Sequence, residues 1–96
     1  MARYGNILSL YNCSDTDAAK VIPVLQNKQV IFQQVEHTFF IESTSKDNTV
    51  AVVDGIRTLQ LRFTFFHDSN PYKSKLYYSD DMDPQVIAAI NKILFQ

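Results

Sequence analysis

The sequence contains few of the residues that build nucleotide and metal sites. Its only glycines are Gly5 and Gly55, which excludes the glycine-rich loop that cradles a phosphate group. The HExxH, GxSxG and paired Cys/His patterns of metalloproteases, serine hydrolases and zinc sites are missing too. No cofactor and no metal ion is therefore indicated. With two glycines and three prolines, regular secondary structure should fill most of the chain.

A single cysteine, Cys13, excludes an internal disulfide. Residues 1–12 lack the basic segment, the long apolar segment and the small-residue cleavage site of a secretory signal. The longest apolar runs are four or five residues, far below the ~20 residues that a membrane-spanning helix needs. These absences favour a cytoplasmic protein and argue against a membrane partner.

The sequence also lacks an excess of charge of one sign, because nine basic side chains and ten acidic ones give a net charge of −1. No long-range field therefore attracts nucleic acid or anionic lipid. A small basic and aromatic surface leaves weak nucleic-acid binding as one alternative function. Its members would be Arg57, Arg62, Tyr72, Lys73, Lys75, Tyr77 and Tyr78.

What is present is enough apolar side chain for one core, at 46% of 96 residues. A chain of this length is near the commonest domain size, so residues 1–96 are interpreted as a single domain. Its apolar spacing changes between the period of a strand and that of a helix. The predicted strands are Tyr4–Asn12, Gln29–Glu42, Thr49–Val53, Ile56–Phe66 and Lys73–Ser79. The dipeptide Asp54-Gly55 predicts a tight hairpin, and His67–Pro71 is predicted to be a loop.

The first of two predicted amphipathic helices begins after Ser14, whose hydroxyl can cap it. Asp15 and Asp17 then place negative charge where the helix dipole favours it. Its apolar stripe consists of Ala18, Val21, Ile22 and Leu25. Pro23 removes a backbone hydrogen bond, so a kink or break is expected within residues 19–23.

The second predicted helix has Asp83 as N-cap and Pro84 at its first position. Its apolar stripe consists of Val86, Ile87, Ile90, Ile93 and Leu94. The predicted order is β-α-β-β-β-β-α. Both stripes need cover, which predicts an α+β two-layer sandwich, with a mostly antiparallel sheet of about five strands and both helices on one face.

Cys13 is the one candidate nucleophile, because it precedes a capped helix N-terminus that can stabilise a thiolate. Asp15 and Asp17 oppose this by raising the thiol pKa. A cysteine-dependent enzyme would need His37 or His67 as its base, within hydrogen-bond reach of the sulfur. Otherwise Cys13 is a small buried apolar residue and His37 a hydrogen-bonded histidine of the core or sheet edge.

Histidine and aspartate side chains near the end of the chain resemble a metal or acid–base cluster. They are His67, Asp68, Asp80, Asp81 and Asp83. A strand over Lys73–Ser79 would be about 20 Å long and would hold the first two far from the others. We therefore interpret the acidic run as a helix cap and a solvated segment.

Strand alternation predicts an aromatic surface on the sheet face opposite the helices. Its candidate binding residues are Phe32, Gln34, Phe40, Gln60, Arg62 and Phe66. Aromatic side chains and arginine among polar neighbours are typical of a protein interface, unless the chain ends and the loop at 67–72 shield them. The leading hypothesis is thus a non-catalytic protein–protein interaction module that pairs with another protein or with itself, as a homodimer, through this face or a strand edge. Such a module could be a small inhibitor, an immunity-type protein or an accessory protein of a phage or mobile element.

Overall fold

The computed structural model describes residues 5–69 and 73–94 and has the predicted class, α+β with a five-stranded antiparallel sheet. The strands lie in the order β2-β3-β1-β4-β5. The elements along the chain are β1 (Asn6–Tyr11), α1 (Asp15–Ala19), α2 (Val21–Asn27), β2 (Phe32–Val35), β3 (Thr38–Ile41), α3 (Lys46–Arg57), β4 (Arg62–Ser69), β5 (Lys73–Tyr78) and α4 (Pro84–Leu94).

One face of the sheet, the core face, lies under α1, α2 and α3. Leu8 of β1 is paired with Phe39 of β3 and with Phe65 of β4, so these three side chains share that face. The buried core consists of Leu8, Leu10, Ala18, Val21, Leu25, Phe39, Ile41, Val52, Val53, Ile56, Phe63 and Phe65. Each of these three helices contributes buried apolar residues to one cluster, which makes the helix layer of a two-layer sandwich.

The N-terminal helical region is interrupted where the sequence predicts a break. The Ser14 hydroxyl accepts a hydrogen bond from the Asp17 backbone N–H at 3.1 Å, which caps α1. Lys20 separates α1 from α2. Pro23 is the third residue of α2, within the first turn, where backbone N–H groups have no intrahelical partner to lose.

The prediction of a strand at Thr49–Val53 followed by an Asp54-Gly55 hairpin is wrong, since these residues belong to α3. The Ser45 hydroxyl caps α3 by accepting from the Asn48 N–H at 3.1 Å. The buried residues of this helix are Thr49, Val52, Val53 and Ile56, at the spacing of one helix face. Burial of that stripe outweighs the strand preference of β-branched residues.

The predicted long strand at Gln29–Glu42 is instead the hairpin β2–β3. Its two-residue turn is Glu36-His37, and Glu36 has a left-handed backbone with φ of 55°. Neither residue gives the Asn-Gly type of signal that marks a tight turn in a sequence. The turn reverses the chain, so Phe32 pairs with Ile41 and alternation along one continuous strand no longer applies.

The predicted order β-α-β-β-β-β-α is therefore corrected to β-α-α-β-β-α-β-β-α. β4 begins at Arg62, later than the predicted Ile56, and extends through His67 to Ser69, where a loop was predicted. Pro71 lies outside the described residues, as does Tyr4 at the predicted start of β1.

The C-terminal helix α4 starts at Pro84, as predicted, and the Asp83 carboxylate accepts from the Gln85 N–H at 2.9 Å. Its Ile87 is buried, together with Met82, but both lie outside the main core cluster. Ile87 and Ala88 line a cavity with Tyr78, which pairs with Thr64 and so points away from the core face. α4 therefore packs beside the end of β5, apart from the three helices on the core face.

Candidate functional site

The sheet face opposite α1, α2 and α3, here called the second face, carries an apolar row across adjacent strands. Cross-strand pairing places Ile7 between Phe40 and Phe66, and Phe66 beside Leu76. Ile7 is 37% exposed, and the other three side chains are half-buried. On the remaining strand, the row ends at Gln33, which pairs with Phe40.

A second, more polar row lies beside the apolar row. It consists of Val35, Thr38, Ser9, Thr64 and Tyr78. The hydroxyls of Tyr11 and Thr64 are 3.0 Å apart and within hydrogen-bond distance, so Tyr11 continues this polar side. Arg62 pairs with Tyr11 across the strands and forms an ion pair with Asp81 at 3.3 Å. The second face thus combines aromatic, aliphatic, hydroxyl and guanidinium groups.

The structure brings together only half of the predicted binding residues. Phe40, Phe66 and Arg62 lie on the second face, but Phe32 and Gln34 do not. The placement of Phe32 and Gln34 there is wrong, because the Glu36-His37 turn sets both residues on the side of the core face.

The Phe32 ring packs 6.0 Å from that of Phe39, while Gln34 donates from its amide to the Glu36 carbonyl at 2.8 Å. Gln60 lies outside the strands, in the connection between α3 and β4. Sequence reasoning missed Leu76 and Val35 as members of the second face. Correct alternation from Tyr78 and from the hairpin turn would have found them.

A second candidate site lies at the end of β1, where Cys13, His37 and Asp15 meet. The Sγ of Cys13 is 3.7 Å from Nδ1 of His37, and Nε2 of His37 is 2.9 Å from a carboxylate oxygen of Asp15. The Leu10 N–H donates to the His37 carbonyl at 3.0 Å, which holds the hairpin turn against β1. The His37 ring is therefore within hydrogen-bond reach of the Cys13 sulfur, as a cysteine nucleophile and its base require.

The surroundings of Cys13 raise the pKa of its thiol. Burial raises the pKa of Cys13, and the nearby carboxylates of Asp17 and Asp15 raise it further. Asp15 itself is fully exposed. The helix N-terminus thus does not outweigh the two acidic residues that follow it.

His67 is not the base for Cys13, since it lies at the other end of the sheet. It pairs with Asn6, and its Nδ1 is 2.6 Å from the Asn6 side-chain oxygen in the buried core face. The Asn6 amide in turn donates to the Glu42 carbonyl at 3.4 Å. His67 is therefore part of a buried polar network that fixes this end of the sheet.

A groove runs from Cys13 along the end of the sheet. A cavity of about 200 Å³ is lined by Tyr11, Asn12, Cys13, Asp17, Gln60, Leu61, Arg62 and Asp81. A neighbouring cavity of about 400 Å³ shares three of these residues and adds Arg57, Phe63, Ser79 and Asp80. Both cavities are wide open to solvent.

The arginines of the predicted basic surface already have acidic partners. Arg57 lies 3.8 Å from Asp80 and 5.6 Å above the Phe63 ring, and Arg62 pairs with Asp81. Tyr72 lies outside the described residues, and Lys73 and Lys75 belong to β5. Both guanidinium groups therefore have a carboxylate neighbour in the structure.

The described part of the chain contains no group of three or more His, Cys, Asp or Glu side chains arranged to hold a metal ion. Asp80 and Asp81 follow β5, whereas His67 pairs with Lys75 near its start, so β5 separates His67 from these two aspartates, as predicted. Within residues 5–69 and 73–94, no helix has the length and apolar character needed to cross a bilayer.

Comparison with protein-family models, with curated proteins and with solved structures finds no match to this chain. The choice among candidate functions therefore depends on the geometry of its own residues.

Proposed function

We propose that this protein is a non-catalytic protein–protein interaction module whose binding surface is the second face. The observation that carries the proposal is the row Phe40, Ile7, Phe66 and Leu76, which crosses four adjacent strands on the face opposite α1, α2 and α3, with α4 beside Tyr78 at one end of that face. Apolar patches of this kind on a small domain are typical of interaction sites.

The chemistry of the second face favours a protein as the partner. Aromatic rings and an arginine are enriched in protein interfaces, and hydroxyl groups provide hydrogen bonds around the apolar centre. Tyr78 and Tyr11 are amphipathic, so each can pack its ring and still hydrogen-bond through its hydroxyl. A net charge of −1 leaves recognition to shape and apolar contact.

A module of this kind acts by occupying a surface of its partner. This role fits a small inhibitor, an immunity-type protein or an accessory protein of a phage or mobile element. The single cysteine is consistent with a reducing, cytoplasmic location.

The test compares two substitutions at equally exposed apolar residues. Ile7 on the second face and Val50 on α3 are both 37% exposed. We expect Ile7→Asp to abolish capture of a specific partner from the source cells, because a carboxylate would be buried in the interface. Val50→Asp should leave capture unchanged.

Circular dichroism must show that both variants remain folded. Equal capture by the wild type and Ile7→Asp would contradict the second face as the binding surface.

Thiol chemistry is a second candidate function, favoured by the Cys13–His37–Asp15 geometry. If the His37 Nε2–H donates to Asp15, the Nδ1 lone pair faces the Cys13 thiol and can accept its proton. The resulting thiolate could attack an acyl carbon to form a thioester, with the proton passing from His37 to the leaving group. Because the pKa of Cys13 is raised, such activity would depend on proton transfer to His37.

The rate of alkylation by iodoacetamide across pH tests this second candidate. The raised pKa predicts that the rate reaches half its maximum above the pH usual for a free thiol, and that Asp17→Asn lowers this midpoint by removing a negative charge. If His37 acts as a base, His37→Gln should slow alkylation at neutral pH about 10-fold or more. An unchanged rate in His37→Gln would eliminate the thiol function.

A further inference from the structure

The outer edge of β2 carries exposed aliphatic side chains. β2 is an edge strand, bordered only by β3 in the described sheet. Ile31 immediately before it is 64% exposed, and Val35 at its end is 54% exposed. Large aliphatic side chains at an open strand edge favour pairing with another strand.

The sequence of this edge lacks the charged and proline residues that commonly prevent such pairing. Residues 29–35 read QVIFQQV, without a charge, a proline or a glycine. Charged side chains and proline on an edge strand discourage edge-to-edge association, so their absence favours association through β2.

The backbone of β2 has hydrogen-bonding groups available for a new strand. The Ile31 carbonyl accepts from the Glu42 N–H at 2.8 Å, which directs the backbone groups of Ile31 toward β3. Alternation in an antiparallel ladder places those of Gln33 and Val35 on the same side and those of Phe32 and Gln34 on the outer edge.

We propose that two copies of this chain pair through their β2 edges, antiparallel about a two-fold axis at Gln33. In this register, Phe32 of each copy exchanges backbone hydrogen bonds with Gln34 of the other. Ile31 of each copy lies opposite Val35 of the other, so the two most exposed aliphatic residues of this edge cover each other twice. The two sheets become one sheet of ten strands.

The register is specified by side-chain complementarity. A two-fold axis at Phe32 would place Ile31 opposite Gln33, and an axis at Gln34 would place Val35 opposite Gln33. Only the axis at Gln33 pairs Ile31 with Val35. It also places Glu36 opposite Val30, so no like charges meet, and the net charge of −1 per copy adds little repulsion.

The inference rests on the proposed function in naming a second copy as one partner of the module, but the contact is made through the β2 edge, which borders the second face at Gln33 and Val35. Residues opposite each other in a ladder share a face, so both second faces would lie on the same side of the ten-stranded sheet. Dimerisation would thus present two second faces to a foreign partner.

Disulfide trapping tests the axis, with Cys13→Ser as the background. Gln33→Cys should form a disulfide-linked dimer under mild oxidation, because the Cα atoms of a directly opposed pair of this kind are about 4.5 Å apart. Gln34→Cys is the matched control, since its two copies are displaced by about 7 Å along the strands. Trapping through Gln34→Cys rather than Gln33→Cys would overturn the register.

Light scattering over a concentration series tests the dimer itself. Wild-type protein should show a dimer mass, Ile31→Lys and Val35→Lys a monomer mass, and Val50→Lys the wild-type mass. A monomer at every wild-type concentration would overturn the inference, and so would a dimer abolished by Ile7→Asp but unaffected by Val35→Lys. Neither result contradicts the proposed function. If the wild type is a dimer but Ile7→Asp does not affect capture of the foreign partner, the proposed function is wrong and the dimer inference is unaffected.

Discussion

At Gly55, the structure gives a reason for glycine that differs from the one its neighbours in the sequence indicate. The Asp54-Gly55 pair matches a hairpin turn, yet Gly55 lies inside α3. A Cβ atom at this position would lie 2.8 Å from Cγ1 of Val24 on α2. Glycine is therefore required for the close approach of two helices on the core face, and a left-handed backbone plays no part.

Gly55→Ala is expected to destabilise the protein despite the better helix propensity of alanine. The propensity gain of about 1 kcal/mol is opposed by an overpacking cost of about 1–3 kcal/mol, which leaves a net loss of about 1 kcal/mol. Urea unfolding of Gly55→Ala, Val24→Ala and the double variant measures the coupling. Additive effects in this cycle would show that Val24 is not the obstacle.

At the scale of elements, α3 and the β2–β3 hairpin show the limit of local pattern. Val52 and Val53 have strand propensity, but Thr49 and Ile56 complete a buried helical stripe with them. Ser45 adds a local start signal, since its hydroxyl caps the helix. The cap and the burial of the stripe together stabilise the helix by more than the strand propensity of single residues opposes it. The segment is therefore helical.

Ser45→Ala should reduce the free energy of unfolding by about 1 kcal/mol, because the Asn48 N–H loses its acceptor. Ser43→Ala, at an exposed position just before the cap, is the matched control and should change stability little. Chemical denaturation monitored by circular dichroism measures both. Equal stability of the two variants would show that the Ser45 cap does not help to hold α3.

At the scale of the whole molecule, acidic side chains of the first helix and of the segment after β5 form hydrogen bonds and ion pairs with neighbouring groups. The pKa of Asp17 is lowered, chiefly by its hydrogen bond with Lys20 and with help from Ser14. The pKa of Asp81 is lowered by a hydrogen bond from Ser79 and by Arg62. Asp17 and Asp81 line the same cavity. Two carboxyl groups from distant parts of the sequence, each with a lowered pKa, therefore lie close to each other.

The protein should lose stability in acid. Both carboxyl groups have a folded-state pKa below the unfolded value of about 3.9. Their contribution is therefore fully present above the unfolded pKa and is lost as the pH falls through the folded pKa. Urea unfolding between about pH 6 and pH 3 measures this loss.

Asp17→Asn combined with Asp81→Asn should flatten the acid limb of that profile, whereas Asp54→Asn, at an exposed position of α3, should not. An unchanged acid limb in the double variant would place the acid sensitivity elsewhere in the chain.

Part of the site could be predicted from sequence because alternation survives within a single uninterrupted strand. Alternation places Phe66 and Arg62 on the second face, as predicted, because both lie in β4. Alternation along one continuous strand misplaces Phe32 and Gln34, because the Glu36-His37 turn gives no turn signal in the sequence. The Cys13–His37–Asp15 geometry was out of reach, because it depends on how the hairpin turn packs against the end of β1.

The sequence by itself determined the composition limits, the α+β class, the Ser14 cap, the break near Pro23 and the start of α4, because these depend on contacts between near neighbours in the chain. Only the tertiary structure decided that 46–57 is a helix, that β2 is an edge, and that Ile7, Phe40 and Phe66 form one row. Strand order and register depend on pairing between distant segments. Burial against those segments, rather than local propensity, selects the final arrangement.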